Sequence, residues 1–86
     1  MSTGLGDKEV ISRVLQGEQN AYAELVNRYQ GYVFTLVMRI LKTREDAEEV
    51  AQDVFIKAYR SLADFRGESK FSTWLYTITN TTCITF

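Results

Sequence analysis

The residues with chemistry to offer lie at positions 45–76 and fall into two sets. Glu45, Asp46, Glu48, Glu49 and Asp53 form the only dense acidic group in the chain. Phe65, Phe71, Trp74 and Tyr76 follow within twelve positions of one another, beside Arg66 and Lys70. Neither set is catalytic. The chain has no histidine, so Ser-His and Cys-His arrangements are unavailable. Its single cysteine, Cys83, excludes an intrachain disulfide and argues against structural zinc. A hard cation needs oxygens converging on one point. On a helix Glu49 and Asp53 share a face, whereas Glu45 and Glu48 turn partly aside, and the glycine of a calcium loop is missing. No metal, no cofactor and no enzymatic activity are therefore expected. The acidic group is then a solvated face or a surface for a protein partner. Ile56, an apolar side chain in the same sector, and neighbouring Phe55 favour contact.

Aromatic rings next to cations suit unpaired nucleic acid, which is held by stacking on ring faces along a cationic track. The competing reading is that Phe71 and Trp74 are core residues at helical spacing. Tyr76 falls off that stripe and is the better candidate for an exposed ring. The polar loop Phe65-Arg66-Gly67-Glu68-Ser69-Lys70 could surround an extruded base or could be only a turn.

Helices must position both sets. The chain contains no proline, so only glycines and capping residues punctuate it. Asp7 is placed to cap a first helix with Val10, Ile11, Val14 and Leu15 on one face, stopped at Gly17. Asn20 is placed to cap a second, with Tyr22, Leu25, Val26, Tyr29, Val33, Leu36, Val37 and Ile40 at three- and four-residue steps. Gly31 interrupts this stripe at a cost of roughly 1 kcal/mol. Thr43 and Asp46 resemble a capping box for a third helix that buries Ala47, Val50, Ala51, Val54, Ala58 and Leu62. Ser69 is placed to cap a fourth, with Phe71, Trp74, Leu75 and Ile78 inward. Its threonine-rich continuation, Thr77–Phe86, has weak helix propensity, but a lone strand would lack a pairing partner, so a helix is expected. The expected fold is all-α, a compact bundle of about four helices over residues 7–86 behind a flexible arm of residues 1–6.

Eighty-six residues suffice for one small domain. No apolar run is long enough to span a bilayer and no signal-peptide pattern is present, so a cytoplasmic protein without membrane insertion is expected. The net charge of −1 does not point to nucleic acid, but its distribution is uneven. Residues 1–56 hold six Lys/Arg and nine Asp/Glu, a net of −3; residues 57–86 hold four and two, a net of +2. The mild excess favours the C-terminal third as the side facing phosphate.

Three blocks carry a family resemblance: Asp7…Gly17…Ala21-Tyr22…Leu25…Arg28-Tyr29, then residues 46–59, then residues 65–76. Together they resemble region 2 of bacterial extracytoplasmic-function (ECF) sigma factors, the group that includes the envelope-stress sigma factor. The resemblance implies a domain that binds core RNA polymerase and melts the promoter −10 element by holding bases of the non-template strand. It implies that Asp46, Glu49, Gln52, Asp53 and Ile56 contact the clamp helices of the polymerase β′ subunit. Phe65, Arg66, Gly67, Ser69 and Lys70 would surround a flipped base. Phe71, Ser72, Trp74 and Tyr76 would read its neighbours, and Asn80 would contribute the nearby amide. An anti-sigma factor is an implied partner. Beyond Tyr76 the chain departs from the family pattern, which commonly has Arg where Thr77 stands, a small residue at Thr79 and Asn at Thr81. The region 4 domain that reads the −35 element in the family is absent from these residues. A helical protein-interaction module, binding an anti-sigma factor or a second copy without useful DNA binding, is the alternative.

Overall fold

A computed structural model of the chain describes residues 6–86. The expected arm therefore lies, apart from Gly6, outside the described residues. Four α-helices follow: α1 (Asp7–Leu15), α2 (Tyr22–Leu41), α3 (Arg44–Ser61) and α4 (Phe71–Ile84). Short 3-10 turns at Gln19–Ala21 and Leu62–Asp64 lead into α2 and out of α3. The expected all-α bundle is the observed one.

Helix α1 ends in a Schellman motif. The Gly17 N–H bonds the Val14 carbonyl and the Glu18 N–H bonds that of Arg13, both at 3.0 Å. Gly17 supplies the positive φ of 108° that this turn requires. Only Lys42 and Thr43 separate α2 from α3, so the two helices fold back on each other. Helix α2 packs against α1, α3 and α4, and α3 also packs on α4.

The core is mostly aliphatic. Val10, Ile11 and Val14 enter from α1; Leu25, Val33 and Val37 from α2; Ala47, Val50, Val54 and Ala58 from α3, followed by Leu62. Helix α4 adds Phe71, Leu75 and Cys83. Alanines on α3 let α2 and α4 approach closely. Ala51, Trp74 and Ile78 are partly buried against this core, as is Tyr22, whose hydroxyl donates to the Phe55 carbonyl at 2.6 Å.

Several local expectations need correction. Asp7 is the first residue of α1 rather than its cap, a position held by Gly6. Asn20 lies inside the 3-10 turn, and α2 starts after Ala21. Thr43 does precede α3, but its hydroxyl turns back to the Leu41 carbonyl, so no capping box forms. Lys70, not Ser69, precedes α4. Leu15 and Ile40, expected to be inward, are about half exposed because each sits at a helix end where no neighbour covers it.

The threonine-rich segment is helical through Ile84. Its hydroxyls bond back one turn: Thr77 to Thr73, Thr79 to Leu75, Thr81 to Thr77, and Thr82 to Ile78, at 2.7–3.3 Å. These bonds satisfy hydroxyls that would otherwise be buried unpaired at Thr79 and Thr82. Thr79 is thus a core position, which explains why a small residue suits it, whereas Thr77 and Thr81 face solvent.

Candidate nucleic-acid interface

The loop between α3 and α4 is held by an aromatic cluster. The Phe65 ring meets Phe71 edge-on at 5.7 Å and tilts over Trp74 at 5.2 Å, and Phe71 lies 5.3 Å from Tyr29 on α2. Edge-to-face and tilted contacts are the geometries aromatic pairs prefer, each worth about 0.5–1.5 kcal/mol beyond the area buried. Phe71 borders the recess beside this loop but is only 4% exposed, so its ring offers little surface for the stacking expected of it. It supports the loop instead. Trp74 is half-buried in the same cluster.

A cavity of about 280 Å³ opens between this loop and the α1–α2 pair. Phe65, Gly67, Ser69, Lys70 and Ser72 contribute to one wall, and Asp7 and Tyr29 to the other. Gly67 turns the loop with φ of 76°. Arg66 lies outside this cavity, on the neighbouring side of the loop. The loop forms one side of an open recess, with the cation Lys70 among its lining residues.

The far wall was not legible as part of a site. The Asp7 carboxylate accepts a hydrogen bond from Arg28 at 2.8 Å and another from the Tyr29 hydroxyl. Arg28 also pairs with Glu24 at 3.3 Å, and its guanidinium pKa is raised, chiefly by the Asp7 hydrogen bond. Burial, then the Asp7 hydrogen bond, pushes the Tyr29 hydroxyl up to about 12. This network pins the start of α1 to α2 and so fixes the cavity's width. Asp7, Arg28 and Tyr29 do occur in the first of the resemblance blocks. Their joint role is hidden because an Asp before an apolar run also suits a cap.

Along α4, Ser72, Tyr76 and Asn80 recur every four residues and so lie on one face. Tyr76 is 44% exposed, whereas Ser72 and Asn80 are half-buried. Tyr32 on α2 donates its hydroxyl to the Ser72 carbonyl at 3.4 Å. The free ring at Tyr76 stands one turn beyond the cavity-lining Ser72.

The acidic face of α3 lies elsewhere on the bundle. Glu49, Gln52, Asp53 and Ile56 are exposed and Asp46 is half-exposed, with Ile56 49% accessible among charges. Among the described residues none of Asp46, Glu49 and Asp53 forms an ion pair. Beside this face runs an open groove of about 450 Å³ between α2 and α3, lined by Gly31, Phe34, Ala51, Gln52 and Phe55 among others. Arg44 borders it, 5.6 Å over the Phe34 ring and 3.2 Å from Glu48. Sequence reasoning found the exposed face but not the groove, since a groove depends on the spacing of two helices. Among the described residues no group of His, Cys, Asp or Glu is placed to hold a metal ion, and no helix is long and apolar enough to cross a membrane.

Comparison with known proteins gives this geometry a setting. Residues 25–86 match the family Sigma-70 region 2. The chain is 49% identical over 78 residues to the ECF RNA polymerase sigma-E factor of Escherichia coli K12, covering 91% of this chain and 40% of that protein. It is 44% identical over 78 residues to the RNA polymerase sigma-H factor of Pseudomonas aeruginosa, again covering 91% and 40%. The chain thus spans about two fifths of the length of these relatives. Among solved structures it matches an engineered region 2 of sigmaE, determined by NMR in complex with GTAAAA. That match has a TM-score of 0.89 and 45% identity, and covers 99% of this chain and 88% of the other.

Proposed function

We propose, since this chain belongs to the sigma-70 family by its region 2, that it serves transcription initiation by capturing unpaired bases of the promoter −10 element while bound to core RNA polymerase. The observation that carries the reading is the cavity at the 65–70 loop with the free Tyr76 ring beyond it. An engineered sigmaE region 2 of the same fold is in complex with GTAAAA, a sequence whose thymine marks it as DNA.

Each part of the interface has a physical task. Phe65, Gly67 and Ser69 shape the recess that takes one base out of the stack. Lys70, and Arg66 beside it, neutralise the strand's phosphates. Tyr76 stacks a neighbouring base, and Ser72 and Asn80 offer hydrogen bonds to base edges. Removing a base from a duplex costs a few kcal/mol, and each stacked base returns on the order of 1–3 kcal/mol. Melting by capture needs no catalytic group, so the protein acts without enzymatic chemistry, in the cytoplasm where the polymerase works.

Asp46, Glu49, Gln52, Asp53 and Ile56 form the surface for the β′ clamp helices, with the exposed Ile56 as apolar anchor inside an acidic rim. Unpaired carboxylates suit a basic partner. The same face is open to an anti-sigma factor, which would compete with polymerase.

The test is binding of non-template −10 strands. Arg66→Ala and Tyr76→Ala are expected to weaken binding of single-stranded GTAAAA about ten-fold each, on the scale of one lost contact. Variants that bind as well as the parent would overturn base capture.

A further inference from the structure

We propose that the captured strand continues past the 65–70 loop onto α1, where a second cavity takes the adjacent nucleotide. The inference rests on the base-capture reading above. The second cavity, of about 320 Å³, lies between α1 and the loop and is walled by Ile11, Leu15, Gln16, Phe65 and Gly67, with Lys8 at its edge. Lys8, Ile11, Phe65 and Gly67 also line the first cavity, so the two recesses sit side by side across the Phe65 ring and the Gly67 backbone.

The chemistry of the second recess suits a nucleotide. Ile11, Leu15 and Phe65 give it apolar walls for a flat base. Leu15 is 51% exposed, apolar surface that a stacked base would remove from water. The Gln16 side-chain amide donates to the Ser12 hydroxyl at 3.3 Å, which leaves its carbonyl oxygen and second N–H for a base edge. Lys8 and Arg66 supply positive charge, and no carboxylate lines this cavity. Asp7 lines the first cavity, but its charge is met by Arg28. Phosphate therefore meets cations at both recesses. Phe65 stands between them, where an inserted apolar side chain keeps two adjacent bases unstacked. Continuity with the loop and charge complementarity both favour the same strand as occupant.

The test uses fluorescence anisotropy with the labelled strand TTTGTAAAATTT and copies carrying one abasic site at each position in turn. The parent is expected to show two adjacent sensitive positions at the loop and α1, each costing about ten-fold in Kd. The double variant Leu15→Ser, Gln16→Ala, altered only at exposed side chains that line the second cavity and not the first, should lose sensitivity at one of the two and keep it at the other. Retention at both positions overturns the α1 site while leaving base capture intact. Loss of all positional sensitivity in the parent overturns base capture itself. Unchanged DNA binding together with altered self-association, read by sedimentation of the same samples, would make the cavity a contact between copies and also overturn the inference.

Discussion

At the scale of single residues, the Asp7–Arg28–Tyr29 network ties the start of α1 to α2 beside the candidate recess. Burial and the Asp7 hydrogen bond hold the Tyr29 hydroxyl at about 12, and burial followed by the nearby Tyr59 holds Tyr22 at about 12. Both lie above the ordinary value of 10.0, so the folded state binds these protons more tightly than the unfolded state. Their contribution is fully present below about pH 10 and is lost as pH rises through about 12. The thermal midpoint is accordingly expected to show no tyrosine-linked loss up to about pH 10 and to fall above it. Tyrosinate absorbance should report the late ionisation, and Tyr29→Phe should remove one late-titrating group. The two aromatic residues at the loop and beyond it behave oppositely on truncation. Phe71→Ala should cost about 3–5 kcal/mol of stability, measured by denaturant unfolding, because it empties the core. Tyr76→Ala should leave stability within about 0.5 kcal/mol, as an exposed site does. Pattern alone distinguished these residues, since Tyr76 falls off the helical stripe and Phe71 lies on it. It could not place Asp7, because a helix-capping Asp and one paired across 21 residues to Arg28 look alike in sequence.

At the scale of elements, each proposed surface is held in place by the packing of neighbouring helices. On α3 the buried stripe Ala47, Val50, Val54 and Ala58 turns Glu49, Asp53 and Ile56 outward. Asp53→Arg reverses charge at an exposed position, so the fold should persist while affinity for the isolated β′ clamp helices falls at least ten-fold by surface plasmon resonance. Unchanged affinity with intact circular dichroism would count against that face. On α2, Gly31 lies in mid-helix, and a Cβ added there meets nothing within 4 Å. Gly31→Ala is therefore expected to stabilise the domain by about 0.4–1 kcal/mol, raising the thermal midpoint. The four helices were legible from apolar periodicity, and α4 was legible despite its threonines. The caps of α3 and α4 were not, because Thr43 and Ser69 turn their hydroxyls to the Leu41 and Lys70 carbonyls and neither helix has a side-chain cap. The inward turn of Thr79 and Thr82 was equally hidden, since hydroxyls that bond back one turn can be buried without penalty.

At the scale of the whole molecule, a domain of 35 × 29 × 20 Å carries the two proposed faces on one small core. The charge asymmetry along the chain separates them, with net −3 up to residue 56 and net +2 beyond it. Helix α4 itself carries no charged side chain, so in the proposed interface cations would reach a strand from the loop and from α1. If base capture holds, such a surface would grip unpaired bases by stacking and offer rigid duplex little. Base capture therefore requires a preference for strand state as well as sequence. It is tested most directly by measuring, in one titration series, the affinity of the chain for single-stranded GTAAAA, for its complement and for the duplex of the two. The GTAAAA strand is expected to bind at least ten-fold more tightly than either of the others, with Tyr76→Ala removing most of this difference. Equal affinity for all three, or tighter binding to the duplex, would contradict base capture.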